Sequence, residues 1–287
     1  MTTSPTGFKR MVVGLPQNLA DQAAIVAAAD LAEFLQIELL ATFVADASLH
    51  ELAGFRPVRE LRILDQKWQA IDLAQIGREI EDAAGLARRR FAEAVSRRTN
   101  KTSFNVIAGA EVLAGLLRAD DIVAVIEPTH PGERITRQFS GLLDAALQSA
   151  GAVLVVPRRI VRTAGPVMAV ANASDDAAID MALKIAAALK EELVVVTRLG
   201  TVLPSALVAE ARQLGVVIEQ VAASALVADA SAHFLSRGRE RLRVLTRSLL
   251  PKDAPRLFSM LNGVPLLVVT PAHSQVRASN REAHGGT

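Results

Sequence analysis

The chain contains no cysteine. Disulfides, thiolate zinc sites and a cysteine nucleophile are excluded, and a reducing compartment fits, so a cytoplasmic location is the expectation. Aromatic residues make up only 3% of the sequence, too few for a surface that stacks bases. Strong charge of one sign is also missing. The formal net charge is +2, although the sequence pI is about 9.3. The mild excess of Lys and Arg in the second half falls short of a phosphate-tracking groove, so nucleic acid is not an expected partner. No stretch reaches the ~18 uninterrupted apolar residues of a membrane span, and Met1 to Arg10 lacks the apolar core of a signal peptide. Membrane insertion is not expected. Neither a Gly-x-Ser-x-Gly elbow nor a Gly-x-x-x-x-Gly-Lys-Ser/Thr loop occurs. His50, His130, His233, His273 and His284 are dispersed without metal-ligand spacing. No catalytic residue and no metal are assigned.

What the chain does have is apolar residues in a repeated order. Hydrophobic content is 51% over 287 residues, enough for two domains of ordinary size, and it is mostly Ala, Val and Leu. Asp21-Gln-Ala-Ala-Ile25 returns as Asp175-Asp-Ala-Ala-Ile179, and Leu35-Gln-Ile-Glu-Leu39 as Leu189-Lys-Glu-Glu-Leu193, both 154 residues later. Ala152-Val-Leu-Val-Val-Pro157 returns at a shorter offset as Pro265-Leu-Leu-Val-Val-Thr270. A matched helix start, a matched helix-to-strand passage and a matched closing strand argue for a duplicated α/β unit.

The first unit alternates strands and helices. Met11–Leu15 is a strand, and Ile25, Ala28, Ala32 and Leu35 mark one helix face. Residues 37–44 form a strand, 68–98 a long helix, 104–107 and 121–126 strands, 134–149 a helix and 152–156 the closing strand. Residues 46–66 read as irregular. The excess length over 46–100 suits dimerisation or a lid, or simply a longer packing helix with its loop. Trp68 reads as a core or interface anchor. Arg88-Arg-Arg90, Arg97 and Arg98 read as a solvated face balanced by nearby acids. The second unit repeats the order: strand 167–171, helix 175–190, strand 192–197, helix 204–213, strand 216–222, helix 225–236, strand 241–246, helix 253–262 and strand 265–270. In strand 241–246, alternation turns Leu242 and Val244 inward and the arginines, Arg243 among them, to solvent. Residues 273–287 read as a tail. Such alternation predicts mostly parallel sheets covered on both faces.

Val167-Met-Ala-Val-Ala-Asn-Ala-Ser174 running into Asp175-Asp-Ala, with the endings Ala152–Val156 and Val264-Pro-Leu-Leu-Val-Val269, resembles the universal stress protein family in its tandem form. The resemblance spans roughly 8–158 and 165–272. It implies an α/β fold of two repeated five-stranded parallel-sheet domains, Rossmann-like and adenine nucleotide alpha hydrolase-like, each with strand order 3-2-1-4-5. Domain limits of 8–160 and 165–272 follow. Members of the family commonly pair through the last strand, so 152–156 and 265–269 are expected to pair as a pseudo-dimer. The resemblance also implies a stress-response or regulatory protein without catalysis, acting through an unidentified protein partner or a weak small ligand, and capable of forming a homodimer.

Nucleotide-binding members carry a Gly-x-x-Gly, nine-residue gap, Gly-Ser/Thr loop after strand four, where glycine lets backbone amides approach phosphates. Here the first unit reads Glu127-Pro-Thr-His-Pro-Gly-Glu-Arg-Ile-Thr-Arg-Gln-Phe-Ser140 and keeps only Gly132. The second reads Leu245-Thr-Arg-Ser-Leu-Leu-Pro-Lys-Asp253 and keeps none. The family's Asp after strand one is replaced by Asn172, and by Asn18 in the first unit. Asn172 or Ser174 would cap the following helix. The candidate ligand residues are therefore Asn18, Thr129, His130, Gly132, Arg134, Arg137 and Ser140 in the first unit, and Asn172, Ser174, Thr246, Arg247 and Ser248 in the second. They lie at the carboxyl ends of strands, where open α/β sheets bind ligands. The 127–140 loop reads either as an anion site at a helix N-terminus or as a polar loop with solvated arginines. ATP or AMP, bound as a switch in the first unit or slowly hydrolysed there, is the alternative function.

Overall fold

The computed structural model describes residues 6–16, 22–45, 59–61, 68–70, 72–128, 132, 136–223, 239–250 and 261–270. The first half contains β1 (Arg10–Pro16), α1 (Gln22–Phe34), β2 (Glu38–Ala45), β3 (Arg59–Leu61), β4 (Trp68–Ala70), α2 (Leu73–Val95), β5 (Thr102–Ala108), α3 (Ala110–Leu116), β6 (Asp121–Ile126), α4 (Arg137–Ser149) and β7 (Ala152–Val156). The second contains β8 (Val167–Val170), α5 (Ala177–Leu189), β9 (Leu193–Arg198), α6 (Ser205–Gln213), β10 (Ile218–Ala223), β11 (Leu242–Thr246) and β12 (Leu266–Val269).

Ten strands form one sheet in the order β10-β9-β8-β11-β12-β7-β6-β1-β2-β5, and β3 and β4 make a separate pair. Each half is a parallel five-stranded sheet of order 3-2-1-4-5. The halves meet at the one antiparallel step of the large sheet among the described residues, β7 against β12, with Leu154 opposite Leu267 and Val153 opposite Val268. Because side chains alternate across a strand, Leu154 and Leu267 join the apolar cluster under α1, α2 and α5, while Val153, Val155, Leu266 and Val268 join the cluster under α4. Both cores therefore run unbroken through the junction. Backbone bonds from Thr270 N–H to the Gly151 carbonyl (3.0 Å) and from Val161 N–H to the Gly263 carbonyl (2.9 Å) close its two ends. Gly263 has φ +77°, and a Cβ there would lie 2.2 Å from a Val161 methyl, so only glycine allows that approach.

The repeat is visible in backbone detail. Ile25, Ala28 and Ala32 are buried on α1, as are Ile179, Ala182 and Ala186 on α5. Both helices end through a left-handed residue, Gln36 at φ 54° and Lys190 at φ 56°. Ile37 N–H then bonds the Ala32 carbonyl, and Glu191 N–H the Ala186 carbonyl, each at 3.0 Å. This is the closure expected when a chain leaves a helix for a strand without glycine.

Several sequence expectations need correction. The long helix begins at Leu73 rather than at 68, because Asp72 Oδ1 accepts the Ala74 and Gln75 N–H groups at 2.9 and 3.1 Å and caps it. Trp68 lies in β4, paired antiparallel with β3 inside the stretch read as irregular. The expected helices at 225–236 and over most of 253–262, and the tail, lie outside the described residues. Arg98 is not part of a solvated face: it stands beyond the end of α2 and ties it to α1, pairing with Glu33 at 3.0 Å and contacting Asp30. The Thr99 N–H and Arg98 hold the Glu33 carboxyl below its ordinary pKa, whereas burial raises that of Asp30 against the pull of Arg98.

Arg243 reverses the alternation argument. It is 1% exposed, although it lies between Leu242 and Val244, both buried as well. A strand covered on both faces has no solvent side. Its guanidinium survives burial because Nε and Nη2 donate to Glu240 Oε1 at 2.7 and 2.6 Å, and Nη1 donates to the Leu261 carbonyl at 3.2 Å. Burial pushes the Arg243 pKa down, and Glu240 opposes that shift. In the first half, Arg10 clamps the buried Asp121 through two bonds of 3.0 and 2.6 Å, so one ion pair anchors the N-terminal ends of β1 and β6. Replacing Glu240 by Gln takes this carboxylate charge away from the buried guanidinium. Urea denaturation is expected to show a loss of about 3–5 kcal/mol, and a loss below ~0.5 kcal/mol, typical of a surface change, would contradict this account.

Candidate functional site

In a 3-2-1-4-5 sheet the chain reverses its winding between strands one and four, and the crevice opens at their carboxyl ends. In the second half this point lies between β8 and β11. The turn after β8 carries Asn172 to Asp176, and the 3-10 turn Arg247–Leu249 follows β11. Asp176 is the centre of the arrangement. It caps α5, with Oδ1 accepting the Ala178 N–H at 3.0 Å. Its Oδ2 accepts the Asn172 N–H at 3.2 Å and the Thr246 hydroxyl at 3.4 Å. Thr246 is buried at the end of β11 and shares a 3.1 Å hydroxyl contact with Ser248. Arg198, at the end of β9, donates to Asn172 Oδ1 at 3.5 Å.

The structure thus brings Asn172, Thr246 and Ser248 together and leaves Ser174 in the turn between β8 and α5. The cap expected from Asn172 or Ser174 is supplied by Asp176, whose extended backbone (φ −65°, ψ 129°) aims its carboxylate at the first free amides of the helix. Arg247 does not join the cluster. Its Nη1 reaches the Leu147 carbonyl in the last turn of α4, across the junction, where the negative end of the helix favours a cation.

The first half is described only in part. Asn18, Thr129, His130 and Arg134 lie outside the described residues. Gly132 is exposed, and Arg137 is the first residue of α4. The helix starts at 137 rather than 134 because Thr136 caps it, its Oγ1 accepting the Phe139 N–H at 3.3 Å. Ser140 Oγ donates to the Thr136 carbonyl at 3.0 Å, so this hydroxyl has a bond along its own helix. Glu127, just after β6, accepts the Arg158 N–H at 2.8 Å and ties the loop's start to the linker.

Asp176, Arg198 and Thr136 were not among the residues expected at these sites. Asp176 had a readable signal, an acid one residue before a strongly periodic apolar helix. Arg198 had none, since its role comes from strand order alone.

Chemically, the second-half crevice presents a fixed carboxylate among the amides after strand one and at the helix N-terminus. Those of Asn172 and Ala178 are already bonded to it. A free anion placed at this helix N-terminus would meet that negative charge.

A universal stress protein from Archaeoglobus fulgidus DSM 4304 superposes with a TM-score of 0.60 at 13% identity, over 94% of this chain and 98% of that one. The fold is that of a universal stress protein. A functionally unknown protein from Pseudomonas aeruginosa PAO1 superposes with a TM-score of 0.50 at 15% identity, over 96% and 99%. No protein-family model matches the sequence, and no curated protein matches it. The universal stress protein fold therefore persists here at an identity where sequence comparison finds nothing. Among the described residues, no helix is long and apolar enough to cross a membrane.

Asp176→Ala is expected to cost about 1 kcal/mol, the usual value of a lost helix cap, with Asp176→Asn recovering most of it. Thermal denaturation checks this. Equal stability of the wild type and the Ala variant would contradict the assignment of Asp176 as the cap.

Proposed function

We propose that this protein is a non-catalytic stress-response or regulatory module of the universal stress type, acting through a protein partner or a weakly held small ligand. The observation that supports this reading is Asp176 seated among the amides of the second-half crevice. The glycine-free loop after β11 adds to it, since glycine is what lets a backbone wrap phosphate. In this reading residues 8–160 and 165–272 serve as two domains, one of them no longer suited to a nucleotide. Leu199 and Val202, 76% and 79% exposed in the turn after β9, place apolar side chains at the same carboxyl edge. Such residues suit contact with a partner protein. The engagement of Arg243 and Arg241 with Glu240 and Glu191 removes two cations from the second half's basic stretch, in keeping with a partner other than nucleic acid. The absence of cysteine is compatible with a cytoplasmic location.

The second reading is an ATP or AMP switch in the first half. At the 154-residue offset, Asp176 corresponds to Gln22, the exposed and uncharged first residue of α1. The first half therefore lacks the tethered carboxylate at that one position. Arg134 and the N-terminus of α4 would supply positive potential to a phosphate there.

Mass spectrometry of the purified protein and calorimetry with ATP and AMP separate these readings. The expected result is no co-purified nucleotide and no stoichiometric heat. Tight ATP binding abolished by Arg134→Ala would select the first-half switch instead. Binding that survives Arg134→Ala but is lost in Thr246→Val would place nucleotide in the second-half crevice and overturn the role given to Asp176.

A further inference from the structure

The junction of the two halves contains a cavity separate from both crevices. It lies beneath α1, between β7 and the start of β11, and the linker after β7 forms its rim. Its volume is about 50 Å³, room for on the order of four water-sized groups. Leu31, Leu154, Ile160, Leu189 and Leu242 supply apolar walls from both halves. Among the described residues, its polar lining is Asp30, Arg162, Thr163 and Arg241.

Two of these are already engaged. Asp30 contacts Arg98, so its charge is compensated. Arg241 is 3.5 Å from Glu191 Oε1 and lies over the Phe34 ring, 5.8 Å from its centre. Arg162 is exposed and forms no ion pair among the described residues, and Thr163 beside it is exposed as well. The rim segment Arg158-Arg-Ile-Val-Arg-Thr163 carries three arginines and no acid. An apolar hole of a few methylene groups, with an uncommitted guanidinium and a hydroxyl at its mouth, has the polarity of a short amphipathic anion. A pure hydrocarbon would leave the rim arginine unused, and a cation would meet it directly.

The pseudo-symmetric position at the other end of the junction differs in kind. It is an open groove of about 530 Å³ beneath α5, bordered by Asp120 and Asp180. Both acids have lysine partners, Lys9 and Lys184, at 2.7 and 2.8 Å. Among the described residues, the two positions therefore differ in volume and in charge.

We propose that the junction cavity binds a short-chain carboxylate, its alkyl chain against Leu31, Leu154 and Leu242 and its carboxylate held by the Arg162 guanidinium and the Thr163 hydroxyl. Because the walls come from both halves and the rim is the linker between them, occupancy would tighten the junction. This site is independent of the reading given to the Asp176 crevice.

The test is calorimetric titration of the full chain with acetate, butyrate and 1-butanol. Butyrate should bind saturably at one site and at least tenfold more tightly than acetate, since each buried methylene contributes about fourfold. Arg162→Gln should weaken butyrate about tenfold, the usual scale of a hydrogen bond to a charged group, and leave 1-butanol unchanged. Leu31→Trp should fill the cavity and abolish both. If Leu31→Trp does not fold, the Ile160 methyl resonance of the wild type serves in its place and should shift on butyrate addition. Absence of saturable butyrate binding, butyrate no tighter than acetate, a folded Leu31→Trp that binds as the wild type does, or an unmoved Ile160 methyl would each overturn the proposal.

Discussion

The antiparallel pairing of β7 with β12 is the constraint on which the rest of the structure depends. A parallel sheet ends in strands that need partners, and an unpaired edge invites association with other chains. Here the last strand of each half covers the other, and two five-stranded sheets become one. The pairing also sets direction. Strands of the first half run opposite to those of the second, so the two carboxyl edges, and the crevices on them, lie at opposite edges of the sheet. The same pairing brings α1 over strands of the second half and creates the cavity rimmed by the linker. Arg247 reaching the end of α4, and Arg241 lying over Phe34, are further contacts that exist only because the halves are joined this way.

Duplication has left the scaffold alike and the sites unlike. The left-handed helix ends at Gln36 and Lys190 match to within a few degrees, because both serve the passage from a buried helix to a buried strand. The crevices are under no such requirement. Asp176 is bonded to the amides of Asn172 and Ala178, and Gln22 stands at the corresponding place in the first half. A carboxylate tethered at the switch point gains a helix cap and a bond from Thr246, so it stabilises the fold while disfavouring an anion.

Much of the architecture was legible in the sequence, since buried parallel strands and one-faced helices leave strong periodic signals. The runs 121–126, 152–156 and 266–269 read as strands because they are largely apolar, and the family resemblance implied that the last strand of each half pairs with the other. The failures share a cause. The expectation that Arg243 faces solvent fails because alternation assumes an open face, which a strand buried along its whole length does not have. Trp68 was assigned to a helix because the apolar stripe of α2 extends backward past the Asp72 cap. Asn172 and Thr246 follow from the family resemblance, but the residue that organises them, Asp176, carries no such mark. Its second role depends on Thr246, 70 residues away, and no local pattern records that.

The central claim, that one chain closes its own sheet, is open to direct measurement because the sequence has no cysteine to interfere. Leu154 and Leu267 face each other across the junction, and opposed residues of antiparallel strands lie ~4.5–5.5 Å apart between Cα atoms, within disulfide range. Under mild oxidation, a Leu154→Cys/Leu267→Cys variant is predicted to form a disulfide within the monomer, seen by mass spectrometry of non-reduced peptides and by faster migration on a non-reducing gel. Disulfide-linked dimers instead, or two free thiols in folded protein, would contradict the account.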